Sequence, residues 1–260
     1  NRYGIEGREI SGNHERAYRW PSPPVRVHVT GRSADEAVHL VDGLYRVYPT
    51  SVQWPVGETA EITLDLQQPR FVSAIVIPHA GNAEWELSAS PDNRTWWEIP
   101  QERWVDMGPT DRPTGGQIMA AANLAISGRH LRLRATPVDG GLSLFQIFVF
   151  GEEQATTHPV GSLFPSFAPP VAGEQTELRA VIRNFGPEVV KNAVAELRLL
   201  APNETGLGRV ELGDLPPHTS RVGILPWSPT ETEPHEIEIR ASGEGWHQEP
   251  VRTETITVVN

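Results

Sequence analysis

Apolar and polar residues alternate with a period of two along much of the chain, beginning with Val25-Arg26-Val27-His28-Val29. Successive side chains of a strand point to opposite faces, so such a run reads as a half-buried β-strand. The same pattern, thickened in places to a continuous apolar run, predicts strands over 61–66, 72–78, 85–89, 96–99, 130–135 and 144–150. Gly-, Pro- and Asn-rich turns separate them. A second series is predicted over 176–183, 189–200, 208–212, 219–225, 234–241 and 251–259. Only residues 33–40 have a helical character, with Ser33 as N-cap and Glu36 three positions later completing a capping box.

Between the two series the composition breaks. Residues 153–172 hold Pro159, Pro165, Pro169 and Pro170, the mark of a semi-rigid spacer, so a domain boundary is expected there. At 260 residues the chain is long enough for two β-sandwiches, each burying its own core. The expected organisation is an extension over 1–24, a sandwich over 25–152, the linker over 153–172 and a second sandwich over 173–260. Residues 1–24 are polar and irregular, with Tyr18 and Trp20 as candidates for packing against the first domain. The chain begins at Asn1, which is the start expected of a processed or excised piece.

The formal net charge is −11, which repels phosphate backbones and anionic lipid surfaces, so neither nucleic acid nor a membrane surface is an expected partner. Lys191 is the sole lysine among the basic residues. The chain has no cysteine, so disulfides, thiol catalysis and thiolate metal sites are excluded. No run of 18 apolar residues occurs, and no membrane-spanning helix is expected.

Six short motifs follow one another across the first domain. They are Val41-Asp42-Gly43 with Trp54, Ile62-Thr63-Leu64-Asp65-Leu66, the apolar run Val72-Ser73-Ala74-Ile75-Val76-Ile77, the stretch from Trp85 through Ser90-Pro91-Asp92-Asn93 to Trp96, Gly128-Arg129-His130-Leu131-Arg132-Leu133, and Gln146-Ile147-Phe148-Val149-Phe150-Gly151. In this order they resemble the discoidin, or coagulation-factor C-type, family of the galactose-binding-like fold. Asn93 stands where the family has a turn glycine, and Asn is the next most tolerant of the left-handed conformation. In the second domain, Val171-Ala172-Gly173-Glu174, Val181-Ile182-Arg183-Asn184-Phe185-Gly186, Leu212-Gly213-Asp214-Leu215 and Trp227-Ser228-Pro229 resemble bacterial cell-adhesion-related (CARDB) domains of immunoglobulin-like fold. The fold class implied is all-β, a discoidin-like jelly-roll sandwich followed by an immunoglobulin-like sandwich.

Discoidin-like modules bind through loops at one end of the barrel, commonly sugars and sometimes lipids or proteins. In the segment 43–54, Tyr45, Arg46 and Tyr48 combine flat apolar faces with hydrogen-bond donors, which suits the C–H face and hydroxyl edge of a sugar. The alternative is that at least one of the two tyrosines packs inward. A loop over 78–83 offers His79 and Asn82, with a solvated turn as its plainer reading. Trp85 and Trp96 are assigned to packing, and Trp97 to the opposite side, outward or toward a neighbouring segment. Trp104, Met107 and Arg112 lie in an irregular stretch, 100–125, placed to fold over the binding end. The resemblance also raises a structural calcium near Asp42, with Thr50 or Ser51 adding oxygens. Gln146 in place of the closing glutamate removes a charge from that set.

The sequence contains no metalloprotease, nucleophile-elbow, Walker or dinucleotide-binding motif, and its nine histidines are dispersed. The reading is therefore a non-catalytic, extracytoplasmic binding or adhesion module for a glycan or surface ligand. Two alternatives remain. One is a structural pair contacting neighbouring domains of a larger protein, and the other is an accessory region of an enzyme whose catalytic domain lies elsewhere.

Overall fold

The computed structural model describes residues 8–10, 25–42, 51–109, 116–152, 154–165, 168–246 and 250–260. The chain is all-β and divides into two compact units, one over Ile5–Thr156 and the other over Thr157–Asn260.

The first unit contains β1 (Arg8–Glu9), β2 (Arg26–Val29), helix α1 (Ala34–Ala37), β3 (Val52–Trp54), β4 (Ala60–Ser90), β5 (Trp97–Glu98), β6 (Trp104–Pro109), β7 (Gln117–Ala121), β8 (Ile126–Leu144) and β9 (Phe148–Glu152). The long strands β4 and β8 serve two layers. In layer one, β2 pairs with residues 62–65 of β4, residues 60–65 pair with 130–135 of β8, and the far arm of β4 pairs with the other edge of β8 and with β5. In layer two the order is β1, β9, the middle of β4, β7 and β6. The inward residues alternate as the period-two pattern demands. Ile62, Leu64, Leu87, Leu131 and Leu133 from layer one and Ile75, Ile77, Ala121 and Val149 from layer two are all within 2 % of full burial. Each Leu or Ile so buried contributes about 1.5–3 kcal/mol.

Local signals agree with their residues. Ser33 caps α1, accepting from the Glu36 N–H at 3.3 Å while its own N–H donates to Glu36 Oε2 at 3.1 Å. The Ser33 N–H and the Ser33 hydroxyl, both donating to Glu36 Oε2, hold this carboxyl below the usual carboxylate range. Asn93 takes the left-handed conformation, φ 62°, in a turn that Asp92 Oδ1 fastens by accepting from the N–H groups of Arg94 and Thr95 at 2.9 Å each.

The second unit is a sandwich of a three-stranded and a four-stranded sheet. The first comprises β10 (Val160–Pro165), β11 (Thr176–Asn184) and β14 (Thr219–Trp227). The second comprises β12 (Val190–Ala201), β13 (Thr205–Leu215), β15 (His235–Glu244) and β16 (Val251–Ile256). Its core includes Leu178, Ile182, Ala195, Leu215, Ile237 and Ile239. Two stretches expected to be irregular carry strands. Within 153–172, β10 pairs with β11 from Val160↔Ile182 to Pro165↔Leu178, and Val160 is fully buried. Prolines tolerate such a position at a sheet edge, where no ladder N–H is needed. Within 1–24, β1 pairs with β9, and Ile10 joins the first core.

Candidate functional site

One end of the first sandwich gathers most of the described residues that the sequence singles out, and strand register shows why. Gln117 of β7 stands opposite Pro109 of β6 and His79 of β4, and His79 stands opposite Leu144 of β8. Leu144 is in turn opposite Val52 of β3. Phe145 donates its N–H to the Pro78 carbonyl at 3.0 Å and Ile147 donates to the Leu40 carbonyl at 2.7 Å. Gln146 and the Val41–Asp42 corner are thereby fixed to the same end.

Residues 78–83 are not a loop but the middle of β4. The reason lies in Gly81, whose φ is +93° and where a Cβ would sit 2.1 Å from the Gly141 carbonyl oxygen. A glycine there lets the backbones of β4 and β8 touch as both pass from one layer to the other. His79 is accordingly 2 % exposed rather than solvated, while Asn82, opposite Asp139, stands exposed beside it.

The His79 ring has a defined proton. Its Nδ1 lies 3.0 Å from the Gly81 carbonyl oxygen, which can only accept, so Nδ1 carries the hydrogen and Nε2 is left as an acceptor. Burial holds the imidazole pKa below its usual value, opposed by the Gly81 hydrogen bond and the charge of Asp106. The ring meets Trp85 edge-on with centroids 5.0 Å apart, and Trp85 packs on Trp104 at 5.6 Å. Two buried polar atoms of this stack have no hydrogen-bond partner among the described residues, the acceptor His79 Nε2 and the donor Trp104 Nε1. Buried ring nitrogens are rarely left so. The sequence places Trp104 in an irregular stretch and Trp85 in the core. Burial in β6 does not alternate, with Trp104 and Val105 half-buried and Asp106 and Met107 exposed, so no period-two signal marks this strand.

Trp97 does not belong to this end. It is the first residue of β5 and stands opposite Ala89, a fully buried core residue. Cross-strand partners share a face, so Trp97 turns inward and packs against the first core. Trp96 lies just outside the strand, where the Arg132 guanidinium sits over its ring at 4.2 Å from the centroid. The expected sides of the two tryptophans are thus exchanged, because the strand begins one residue later than its pattern suggests.

Tyr45, Arg46, Tyr48 and Thr50 lie outside the described residues, as does Arg112. For calcium, the described donors are few. Asp42 Oδ2 lies 3.5 Å from His39 Nδ1, and Gln146 is fully buried with neither Oε1 nor Nε2 partnered among the described residues. Ser51, whose buried hydroxyl also has no partner among the described residues, adds a third side-chain oxygen to this set. Among the described residues no group of three or more His, Asp or Glu side chains is placed to hold a metal ion. No described helix is long and apolar enough to cross a membrane.

No family model and no curated protein matches the chain. Solved structures similar to it include a domain of each kind that the motifs resemble. The Clostridium perfringens protein CpGH89CBM32-6 is 23 % identical over 49 % of this chain and 93 % of its own, with a TM-score of 0.36. A CARDB domain from Pyrococcus furiosus, solved with di-metal ions, is 19 % identical over 37 % of this chain and 84 % of its own, at 0.31. The lectin domain of lectinolysin, solved with Lewis B antigen, is 13 % identical over 51 % of this chain and 94 % of its own, at 0.35. What those proteins bind is a property of theirs.

Proposed function

We propose that the chain is a non-catalytic, extracytoplasmic binding module whose first sandwich takes a polyhydroxylated ligand, a saccharide, at the His79–Trp104 end, with the second sandwich spacing or orienting it. The observation that carries this reading is the complementary pair of unpartnered atoms. A ligand hydroxyl can accept from Trp104 Nε1–H or donate to His79 Nε2, since its single oxygen serves in both roles. The part-exposed ring of Trp104, backed by the buried Trp85, suits the apolar face of a sugar ring, and the exposed Asn82 adds an amide at the rim.

The test is glycan-array screening of the whole chain followed by calorimetry with Trp104→Phe, which keeps an aromatic ring and removes only the N–H. The expected result is retention of at least one glycan and a roughly tenfold weaker binding in the variant, the worth of one buried hydrogen bond. Retention unchanged in Trp104→Phe, or no glycan retained at all, overturns the reading. The second of those outcomes favours a scaffold pair, a reading supported by Trp97, which is spent on the core rather than offered to a ligand.

A further inference from the structure

Away from that end, the outer face of layer one bears a groove of about 560 Å3 lined by Glu86, Leu87, Ser88, Glu98, Gln101 and Arg134 among others. Its walls follow from register. Ser88 stands opposite Glu98 on one side and Arg132 on the other, while Glu86 stands opposite Arg134, so their side chains share the outward face. Leu87 and Ile99 alternate with them into the core and are 2 % and 3 % exposed. Their backbones, joined by the Ile99 N–H donating to the Leu87 carbonyl at 2.9 Å, form the floor. Trp96, stacked on Arg132, stands beside the groove in the row of Ser88.

The polar groups here divide into two sets. Arg134 is committed to Glu86 at 2.8 Å and to Glu61 at 3.6 Å. Glu98, Gln101 and Ser88 have no side-chain partner among the described residues, and Ser88 is only 8 % exposed. A hydroxyl that bonds to no described side chain and is left to solvent adds little to folding. A carboxylate acceptor, an amide that both donates and accepts, a serine hydroxyl and a guanidinium edge alternate along one trough. That mixture matches the vicinal hydroxyls of a sugar chain, whereas a cationic peptide engages only the carboxylates. Two glutamates against one arginine also disfavour sulfated or uronic saccharides.

We propose that this groove is a second saccharide site, selective for neutral chains and independent of the His79–Trp104 end. The test uses the whole chain with 15N-labelled tryptophan, titrated with cellohexaose, xylohexaose, mannohexaose and a sulfated hexasaccharide. The Trp96 and Trp104 indole resonances are assigned beforehand by phenylalanine replacement. The expected result is a saturable shift of Trp96 with at least one neutral chain and none with the sulfated one, and about fivefold to tenfold weaker binding in Glu98→Gln and in Ser88→Ala. Ser88→Ala should leave the melting temperature unchanged or slightly raised, which separates lost binding from lost folding. Salt should leave the affinity unaltered, since no ion pair forms. No Trp96 response to any neutral chain, or a response to the sulfated chain alone, overturns the proposal. The Trp104 resonance reports separately on the end of the sandwich, so the failure of one site is distinguishable from the failure of the other.

Discussion

The outer face of layer one in the first sandwich and the outer face of the four-stranded sheet in the second are both charged and both hollowed, yet they treat charge differently. On the second face the hollow, about 430 Å3, is lined by Glu196, Arg198, Arg209, Glu238 and Arg240 around two glycines. There Arg198 meets Glu204 at 2.6 Å, Arg209 meets Glu196 at 3.8 Å, and Arg240 meets Glu238 at 3.3 Å. Every charged side chain named in that lining thus has a partner. On the first face Glu98, Gln101 and Ser88 have none among the described residues. A face that satisfies itself is a solvated, non-associating surface, whereas a face with unsatisfied groups in a trough is available for a partner. The edge strand β16 extends the contrast: Arg252 and Glu254 stand opposite the core residues Ile239 and Ile237 and pair with each other. Inward-pointing charge of that kind discourages edge-to-edge pairing.

The sandwiches also differ in construction, and the largest effect is expected there. The first depends on strands that change layers, the second on strands that stay in one sheet. Gly81→Ala would place a methyl 2.1 Å from the Gly141 carbonyl oxygen in a left-handed backbone. It should destabilise the first unit by on the order of 4 kcal/mol. Gly57, at φ +82° with nothing within 4 Å of an added methyl, should lose only about 1 kcal/mol on the same change. Calorimetry of the two variants checks this; equal losses would show that backbone conformation, not the close approach, governs Gly81.

The next effect belongs to the first face alone. Asp65 accepts from Arg129 Nε and one terminal nitrogen at 2.7 and 2.9 Å and from the Gln67 N–H at 2.8 Å, and the first of these holds its carboxyl below the usual range against the opposing effect of burial. A lowered folded pKa means that this stabilisation is fully present above the unfolded value, about 4, and is lost as pH falls through the folded one. Asp65→Asn should reduce stability at pH 7 by about 1 kcal/mol, the upper range for a partly exposed pair. Its melting temperature should then fall less steeply than that of the parent between roughly pH 5 and roughly pH 3, the span of ordinary carboxylate titration. Parallel pH profiles would refute this assignment.

These contrasts also show what the sequence could convey. The alternating strands around Val27, Leu64 and Leu133, the Ser33–Glu36 cap and the left-handed Asn93 are local, and each was legible because the residues themselves set the geometry. The sides of Trp96 and Trp97 were not, because they depend on where β5 begins against Ala89, a non-local pairing. His79 was misplaced for a similar reason. A Pro-His-Ala-Gly-Asn string reads as a turn, and only the contact between Gly81 and Gly141 makes it a strand changing layers. The buried atoms of His79 and Trp104 left without a partner among the described residues emerge only once the whole sheet is assembled. The candidate site was therefore legible in its residues at one end, His79 and Asn82, and not in its outer-face groove.

The smallest effect tests the second face. Arg209 contacts Glu196 at 3.8 Å and Glu211 at 3.9 Å, and all three side chains are more than half exposed. Exposed pairs of this length are screened by water and salt and hold two flexible chains in place, so their net worth is small. Arg209→Ala should change the stability of the second unit by no more than about 0.5 kcal/mol, with no effect on saccharide binding by the first. Urea titration of the variant checks the stability, and the Trp96 titration checks the binding. A loss above about 1.5 kcal/mol would mean that the charges on β12, β13 and β15 act as a cooperative network, for which isolated-pair values do not hold. The second face would then be held together by its charges, and pairing on it could no longer be read as surface solvation.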